Sequence, residues 1–169
     1  KAYLLLTRQE QMDPLSLKGS YAGAMGYGQF MPSSFLEYAI DFDGDGRRDI
    51  WHNPVDAIGS VANYFSRHGW KTNEPVVSRA GFTGDSEKIV WVKGRRGLKP
   101  QVQLADLLAS GLQPHAQLTP QQPATAMRMA GQEGQEYWVG LHNFYVITRY
   151  NHSALYAMSV YQLSQKIAQ

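Results

Sequence analysis

The run Asp41-Phe42-Asp43-Gly44-Asp45-Gly46-Arg47-Arg48-Asp49 constrains this chain more than any other stretch. Carboxylates at loop positions 1, 3 and 5 (Asp41, Asp43, Asp45) can converge on one hard cation, Gly46 at position 6 permits the sharp turn, and Arg47 at position 7 can offer its carbonyl. The EF-hand pattern would close with a bidentate Glu at position 12, where this chain has His52. The next carboxylate able to close the site is Asp56, so a longer loop ending in an Asp is required. Without a cation the clustered carboxylates would repel one another. The bare alternative is an Asx-rich turn with no metal. The ligand logic favours structural calcium on Asp41, Asp43, Asp45, Arg47 and Asp56, with His52 on the loop surface.

Helices are expected on both sides of this loop. Ser34 and Glu37 have capping-box spacing, which predicts a helix from about Phe35 into Asp41. Asn53-Pro54 reads as an N-cap followed by a first-turn proline. Val55, Ile58, Val61, Ala62 and Phe65 then recur at helical spacing as a core stripe, with Gly69 as terminator and Tyr64 off the stripe. Upstream, Ala2 to Glu10 is a helix that begins mid-pattern, ended by Asp13-Pro14.

From about Asn73 the texture changes. Val76 to Arg79 and Ile89 to Lys93 have strand character. Gln103 to Ser110 reads as a short helix closed by Gly111, and Gln121 to Ala126 as loop. Met127 to Ala130 and Glu136 to Val139 flank a hairpin-like turn at 131–134. Helix returns after Ser153, a good N-cap, and runs to about Ile167.

These elements predict a mainly α chain: a helical core over residues 1–72, a small inserted α+β subdomain over 73–136, and a return to the core over 137–169. A chain of 169 residues with 43% hydrophobic and 18% charged residues can bury such a core and is not of disordered composition. A net charge of +2 and pI near 8.8 suit an anionic polymer without demanding one, and no Lys/Arg run marks a nucleic-acid patch. Cysteine is absent, which excludes thiolate chemistry and disulfides. No apolar run approaches the roughly 20 residues of a membrane-spanning helix. A start at Lys1 rather than Met reads as a processed or cut chain.

The stretch from Gly19 to Gly28 is not a phosphate loop, because it lacks the Gly-Lys-Ser/Thr ending. Small residues let its backbone approach a neighbour closely, while Ser20, Tyr21, Tyr27 and Gln29 offer hydroxyl and amide groups suited to sugars or to ordinary packing. Tyr145, Arg149, Tyr150, Asn151, His152 and Tyr156 form a second polar-aromatic cluster, again fit for sugar faces or for packing.

Three segments together carry a resemblance: Gly23-Ala-Met-Gly-Tyr-Gly-Gln29-Phe-Met-Pro-Ser-Ser34, Asn53-Pro-Val-Asp-Ala-Ile-Gly-Ser-Val-Ala-Asn-Tyr-Phe65, and Asn143-Phe-Tyr with Thr148-Arg-Tyr-Asn-His-Ser153. Spaced around the Asp-rich loop, they look like the membrane-bound lytic murein transglycosylase B family and its soluble relatives. The match covers nearly the whole chain and is weakest over the middle insertion. Between Trp51 and Pro54 the chain departs from the family pattern, with His52-Asn53 where the family has one Asp.

The resemblance implies a lysozyme-like helical core, an EF-hand-like calcium site and periplasmic peptidoglycan strands as substrate, with outer-membrane anchoring possible in such proteins. The implied activity is non-hydrolytic cleavage of the MurNAc–GlcNAc bond, leaving a 1,6-anhydro sugar. One Glu would act as acid and then base, in a Glu-Ser/Thr-x-x-Gly setting that this chain lacks. Glu10, Glu37, Glu74 and Glu87 do not match it and read as surface residues, so no catalytic residue is assigned, and the Glu is expected in an upstream segment of the same protein.

The resemblance further implies substrate contacts from Ser20, Met25, Gln29, Tyr64, Tyr150, Asn151 and Tyr156 across one groove. The competing readings are a non-enzymatic, calcium-stabilised glycan-binding module and an EF-hand sensor. A sensor would need paired loops and a Met-rich groove, and only one loop is present.

Overall fold

A computed structural model describes residues 1–169. The chain forms two compact units, Lys1–His68 and Gly69–Gln169. The first contains helices α1 (Ala2–Gln9), α2 (Pro32–Tyr38) and α3 (Pro54–Arg67). The second contains strands β1 (Val77–Phe82), β2 (Val102–Gln103), β3 (Leu112–Pro114), β4 (Pro123–Gly131) and β5 (Gly134–Gly140), with helices α4 (Leu104–Ala109), α5 (His142–Tyr150) and α6 (Ala154–Ile167).

The expectation of a mainly α chain does not hold. Helix accounts for 36% of residues and strand for 20%, and the strands form one antiparallel sheet in the order β2-β4-β5-β1-β3. The sheet gathers residues from 77 to 140, because β1 pairs with both β5 and β3 and so pulls in partners distant in sequence. Its hairpin is where the sequence placed it, but β4 starts at Pro123 inside the stretch read as loop. Proline is tolerated there because it opens the strand. Residues 89–93 contribute only isolated bridges, Trp91 to Ala126 and Lys93 to Arg96.

One face of the sheet buries Ala80, Leu112, Ala126 and Val139 with Leu104 and Leu107 of α4. Trp91 closes this core edge-on to Phe82 at 5.4 Å, and its indole N–H donates to the Ser86 carbonyl at 3.0 Å. The ring is thus buried with its polar atom satisfied.

In the first unit, Pro32 opens α2 with Met31 as N-cap, so Ser34 and Glu37 lie inside the helix rather than capping it. Proline at the first helical position needs no N–H, and it outweighs a capping box two residues later. Asn53 caps α3 as expected, accepting from the amides of Val55 and Asp56.

The face that α3 buries is the reverse of the one its apolar stripe suggests. Asp56, Ala57, Gly59 and Ser60 are buried, whereas Val55 and Ile58 are 46% and 70% exposed. Small and polar residues face inward because the preceding loop uses them: Ser60 Oγ accepts from the Ile40 amide at 3.0 Å, and Asn63 donates to the Tyr38 carbonyl at 2.8 Å. Glu10 is not a surface residue either. Its side chain is 14% exposed and ion-paired with Arg48, whose guanidinium lies 4.9 Å from the centre of the Phe35 ring.

Candidate functional site

The acidic loop is built by its own backbone. Asp41 accepts from the amides of Gly44 (2.7 Å), Asp45 (3.1 Å) and Gly46 (2.8 Å). Gly44 and Gly46 have φ of +79° and +89°, a conformation that favours glycine. Asp56 reaches back from α3, fully buried, and accepts from Phe42 N at 2.8 Å and Asp49 N at 2.9 Å. One oxygen from each of Asp41, Asp43, Asp45 and Asp56 lies within 4.8 Å of the others. Four carboxylates so close could serve as donors to a hard divalent ion.

Asn53 has a second role that the sequence did not reveal. Its Oδ1 caps α3 while its Nδ2 donates to Asp43 at 2.7 Å, coupling the helix start to the loop. The short-range pattern exposes the cap but not where the amide's other end points. Asp49 accepts from the amides of Trp51 and His52, and its second oxygen lies 3.3 Å from His52 Nδ1. Burial alone would raise its pKa, but these amides and the His52 ring together hold it below the usual carboxylate value. The His52 side chain is 82% exposed, on the loop surface as expected.

The glycine-rich stretch folds against this loop. Tyr27 N donates to the Ile50 carbonyl at 2.9 Å, and Met25 and Phe30 exchange backbone hydrogen bonds of 2.9 and 3.0 Å. Gly26 has φ +63°, and a Cβ there would lie 2.5 Å from Ile50 O. Gly26→Ala is therefore expected to cost about 2 kcal/mol or more, from the left-handed strain and the clash together. Urea unfolding monitored by tryptophan fluorescence would check it, and a loss below about 0.5 kcal/mol would contradict the close approach.

Gln29 follows with φ +51°, one of three non-glycine residues in the left-handed region. Its side-chain Nε2 donates to the Gly26 carbonyl at 3.0 Å, which fixes the carboxamide on an exposed loop and leaves Oε1 available. Ser20 is exposed, with Oγ accepting from Ala24 N at 3.1 Å. Met25 is 3% exposed and lines a cavity of about 360 Å³ together with Ser20 and Tyr3. Tyr64 is half-buried, stacked on His68 at 4.0 Å and edge-on to Tyr38 at 4.8 Å. Ser20, Met25, Gln29 and Tyr64 thus all belong to the first unit.

The other three expected contacts belong to the second unit. Tyr150 ends α5, Asn151 is its exposed C-cap, and Tyr156 lies in the first turn of α6, which Ser153 caps. Tyr156 is 37% exposed, and burial raises its phenol pKa, so it stays a neutral hydrogen-bonding group at neutral pH. Helix α5 itself escaped the sequence reading. Its Phe144, Val146, Ile147 and Thr148 are weak helix formers and are all buried, so packing rather than propensity makes the helix.

Comparison with known proteins extends this description. The model of the family described as "Transglycosylase SLT domain" matches residues 1–165. The chain is 51% identical over 168 residues to the membrane-bound lytic murein transglycosylase B of Escherichia coli (strain K12), covering 99% of this chain and 44% of that protein. The structure is similar to that of the soluble lytic transglycosylase SltB1 from Pseudomonas aeruginosa, with TM-score 0.90 and 57% identity over 99% of this chain and 54% of that one. It is also similar to the Escherichia coli lytic transglycosylase Slt35 in complex with calcium, with TM-score 0.87 and 50% identity over 99% and 51% of the two chains. The chain therefore spans about half the length of the relatives it matches.

Proposed function

Because the chain belongs to the transglycosylase SLT domain family, we propose that it is the substrate-holding part of a lytic transglycosylase, one that cleaves the MurNAc–GlcNAc bond of peptidoglycan and leaves a 1,6-anhydro sugar. The observation that carries this reading is Gln29. It is held in the left-handed region by a loop seated on Ile50, and its exposed side chain is anchored through Nε2 to the Gly26 carbonyl. Backbone strain persists where surrounding structure enforces it, and it clusters at ligand-binding positions.

In this reading the first unit offers Ser20 and Gln29 as hydroxyl and amide partners for a sugar, with Met25 and the Tyr64 ring as apolar contacts. The second unit offers the rings of Tyr150 and Tyr156 to sugar faces and the Asn151 amide to a sugar edge. The reaction needs one proton-transfer group rather than the two carboxylates of an ordinary glycosidase, because the sugar's own hydroxyl attacks. That group is a Glu in the part of the full-length protein that precedes Lys1. Glu10 is engaged by Arg48, and Glu74 lies 3.4 Å from Lys71, which supports looking elsewhere.

Calcium held by the side chains of Asp41, Asp43, Asp45 and Asp56 and the carbonyl of Arg47 would neutralise the loop and brace the stretch that carries Gln29. The substrate places the enzyme in the periplasm. No helix of this chain is long and apolar enough to cross a membrane.

The test digests purified sacculi with the full-length protein and, separately, with residues 1–169. Anhydro-muropeptides from the first and none from the second are expected by mass spectrometry. Release by residues 1–169 would return the proton donor to this chain. Reducing ends instead of anhydro ends would mean hydrolysis. Sacculus binding without any release by the full-length protein would leave a calcium-stabilised glycan-binding module.

A further inference from the structure

A cavity of about 430 Å³ opens within the second unit, and none of the residues assigned above to sugar binding lines it. It lies between the 71–75 turn, residues 99–100, residues 122–123 and the N-terminal end of α5. Three prolines, Leu141 and the ring of Tyr145 supply apolar walls, and Lys71, Glu74, Lys99 and His142 supply charge and polarity.

The cavity is preformed. Asn143 is fully buried beneath the turn, accepts from Lys71 N at 2.9 Å, and donates to the carbonyls of Lys71 and Glu74 at 2.7 and 3.0 Å. His142 donates from Nε2 to the Gly69 carbonyl at 2.7 Å, which fixes the ring and leaves Nδ1 as the acceptor. A carboxamide and an imidazole thus hold one wall in place.

Its chemistry favours an anion with small apolar groups. Lys71 is compensated by Glu74, but Lys99 is exposed and has no ion pair or hydrogen bond. No side chain caps α5, so the positive end of that nine-residue helix faces the same cavity through Leu141 and His142. Gln122 also lines it, and its Nε2 is buried without a partner. A ligand oxygen met by a small rotation of that amide would satisfy a donor that is costly to leave unpaired.

We infer that this cavity is a second binding site, taking a carboxylate-bearing peptide: the peptide stem carried by the glycan strand. The assignment to the stem rests on the glycan reading above. Stem peptides combine alanine methyls with free carboxylates, which match apolar walls beside an uncompensated lysine. The reach also matches. From His142 to Tyr150 the helix rises about 12 Å, and an extended pentapeptide spans about 17 Å. A sugar held at Tyr150 could therefore place its own stem in the cavity. A free peptide of the same composition would satisfy the same groups, so the two sources are separated by experiment.

Binding of three probes to the full-length protein would be measured by calorimetry: the anhydro-disaccharide, the anhydro-disaccharide pentapeptide, and the free pentapeptide. The expected result is tighter binding of the disaccharide pentapeptide than of the bare disaccharide. Lys99→Glu should weaken both peptide-bearing probes about fivefold while leaving the bare disaccharide and the melting temperature unchanged. Measurable free-pentapeptide binding that Lys99→Glu weakens supports the cavity even if neither sugar binds, in which case the glycan reading alone fails. Equal affinity for the disaccharide with and without its peptide, or peptide binding indifferent to Lys99→Glu, overturns the inference.

Discussion

Asp56→Ala is expected to cost about 3–5 kcal/mol of stability and to abolish calcium-dependent stabilisation. Asp56 is fully buried, and its two oxygens accept from Phe42 N and Asp49 N, at opposite ends of the acidic loop. Alanine orphans both amides, each costing roughly 1–3 kcal/mol, and removes one of the four carboxylates. The wild type supplies the control. A cation at about 100 times its Kd stabilises by about 2.7 kcal/mol, so chelation should lower Tm by about 5–10 °C. In Asp56→Ala the same chelator should change nothing further. Scanning calorimetry of both proteins with and without EDTA would check this. A wild type indifferent to EDTA would mean the loop is an Asx-rich turn held by hydrogen bonds alone. A loss under about 1 kcal/mol in the variant would mean those two bonds are not what closes the loop.

Removing the Gln29 carboxamide is expected to lower turnover of sacculi by the full-length protein about 100-fold while leaving the fold intact. The side chain is fixed by its bond to the Gly26 carbonyl, and orientation of this kind is where a non-hydrolytic cleavage gains most. Because Gln29 has φ +51°, two variants separate chemistry from strain. Gln29→Gly relieves the left-handed backbone by about 1 kcal/mol and should keep or raise Tm, whereas Gln29→Ala keeps the strain the parent already carries and should leave Tm at or slightly below the parent's. Equal activity loss in both, with Gln29→Gly the more stable of the two, supports a substrate contact. Full activity in Gln29→Gly would remove Gln29 from the site.

Much of the local structure was legible because its causes are local. The caps at Asn53 and Ser153, the hairpin at 131–134 and the spacing of Asp41, Asp43 and Asp45 each arise from residues within a few positions of one another. The motif combination around them was specific enough to indicate the family. Less legible were features in which a side chain answers a distant group. Glu10 looked like a surface residue until Arg48 was placed beside it, and Asn53 looked like a simple cap until its amide met Asp43.

What the sequence determined by itself was therefore the acidic loop with its closing Asp56, the helix starts, and the set of polar and aromatic groups available for a glycan. Only the tertiary structure decided which face of α3 is buried, that α5 exists, and that the segment from 77 to 140 closes into one five-stranded sheet. The reason is the same in all three cases. Periodicity records how apolar residues are spaced, but the free energy of burial depends on what lies opposite. On α3 the acidic loop lies opposite and requires Asp56 and Ser60 inward, so hydrogen bonds rather than the apolar stripe orient the helix. In the sheet, β1 finds β3 and β5 across thirty or more residues, a pairing that no local window of sequence contains.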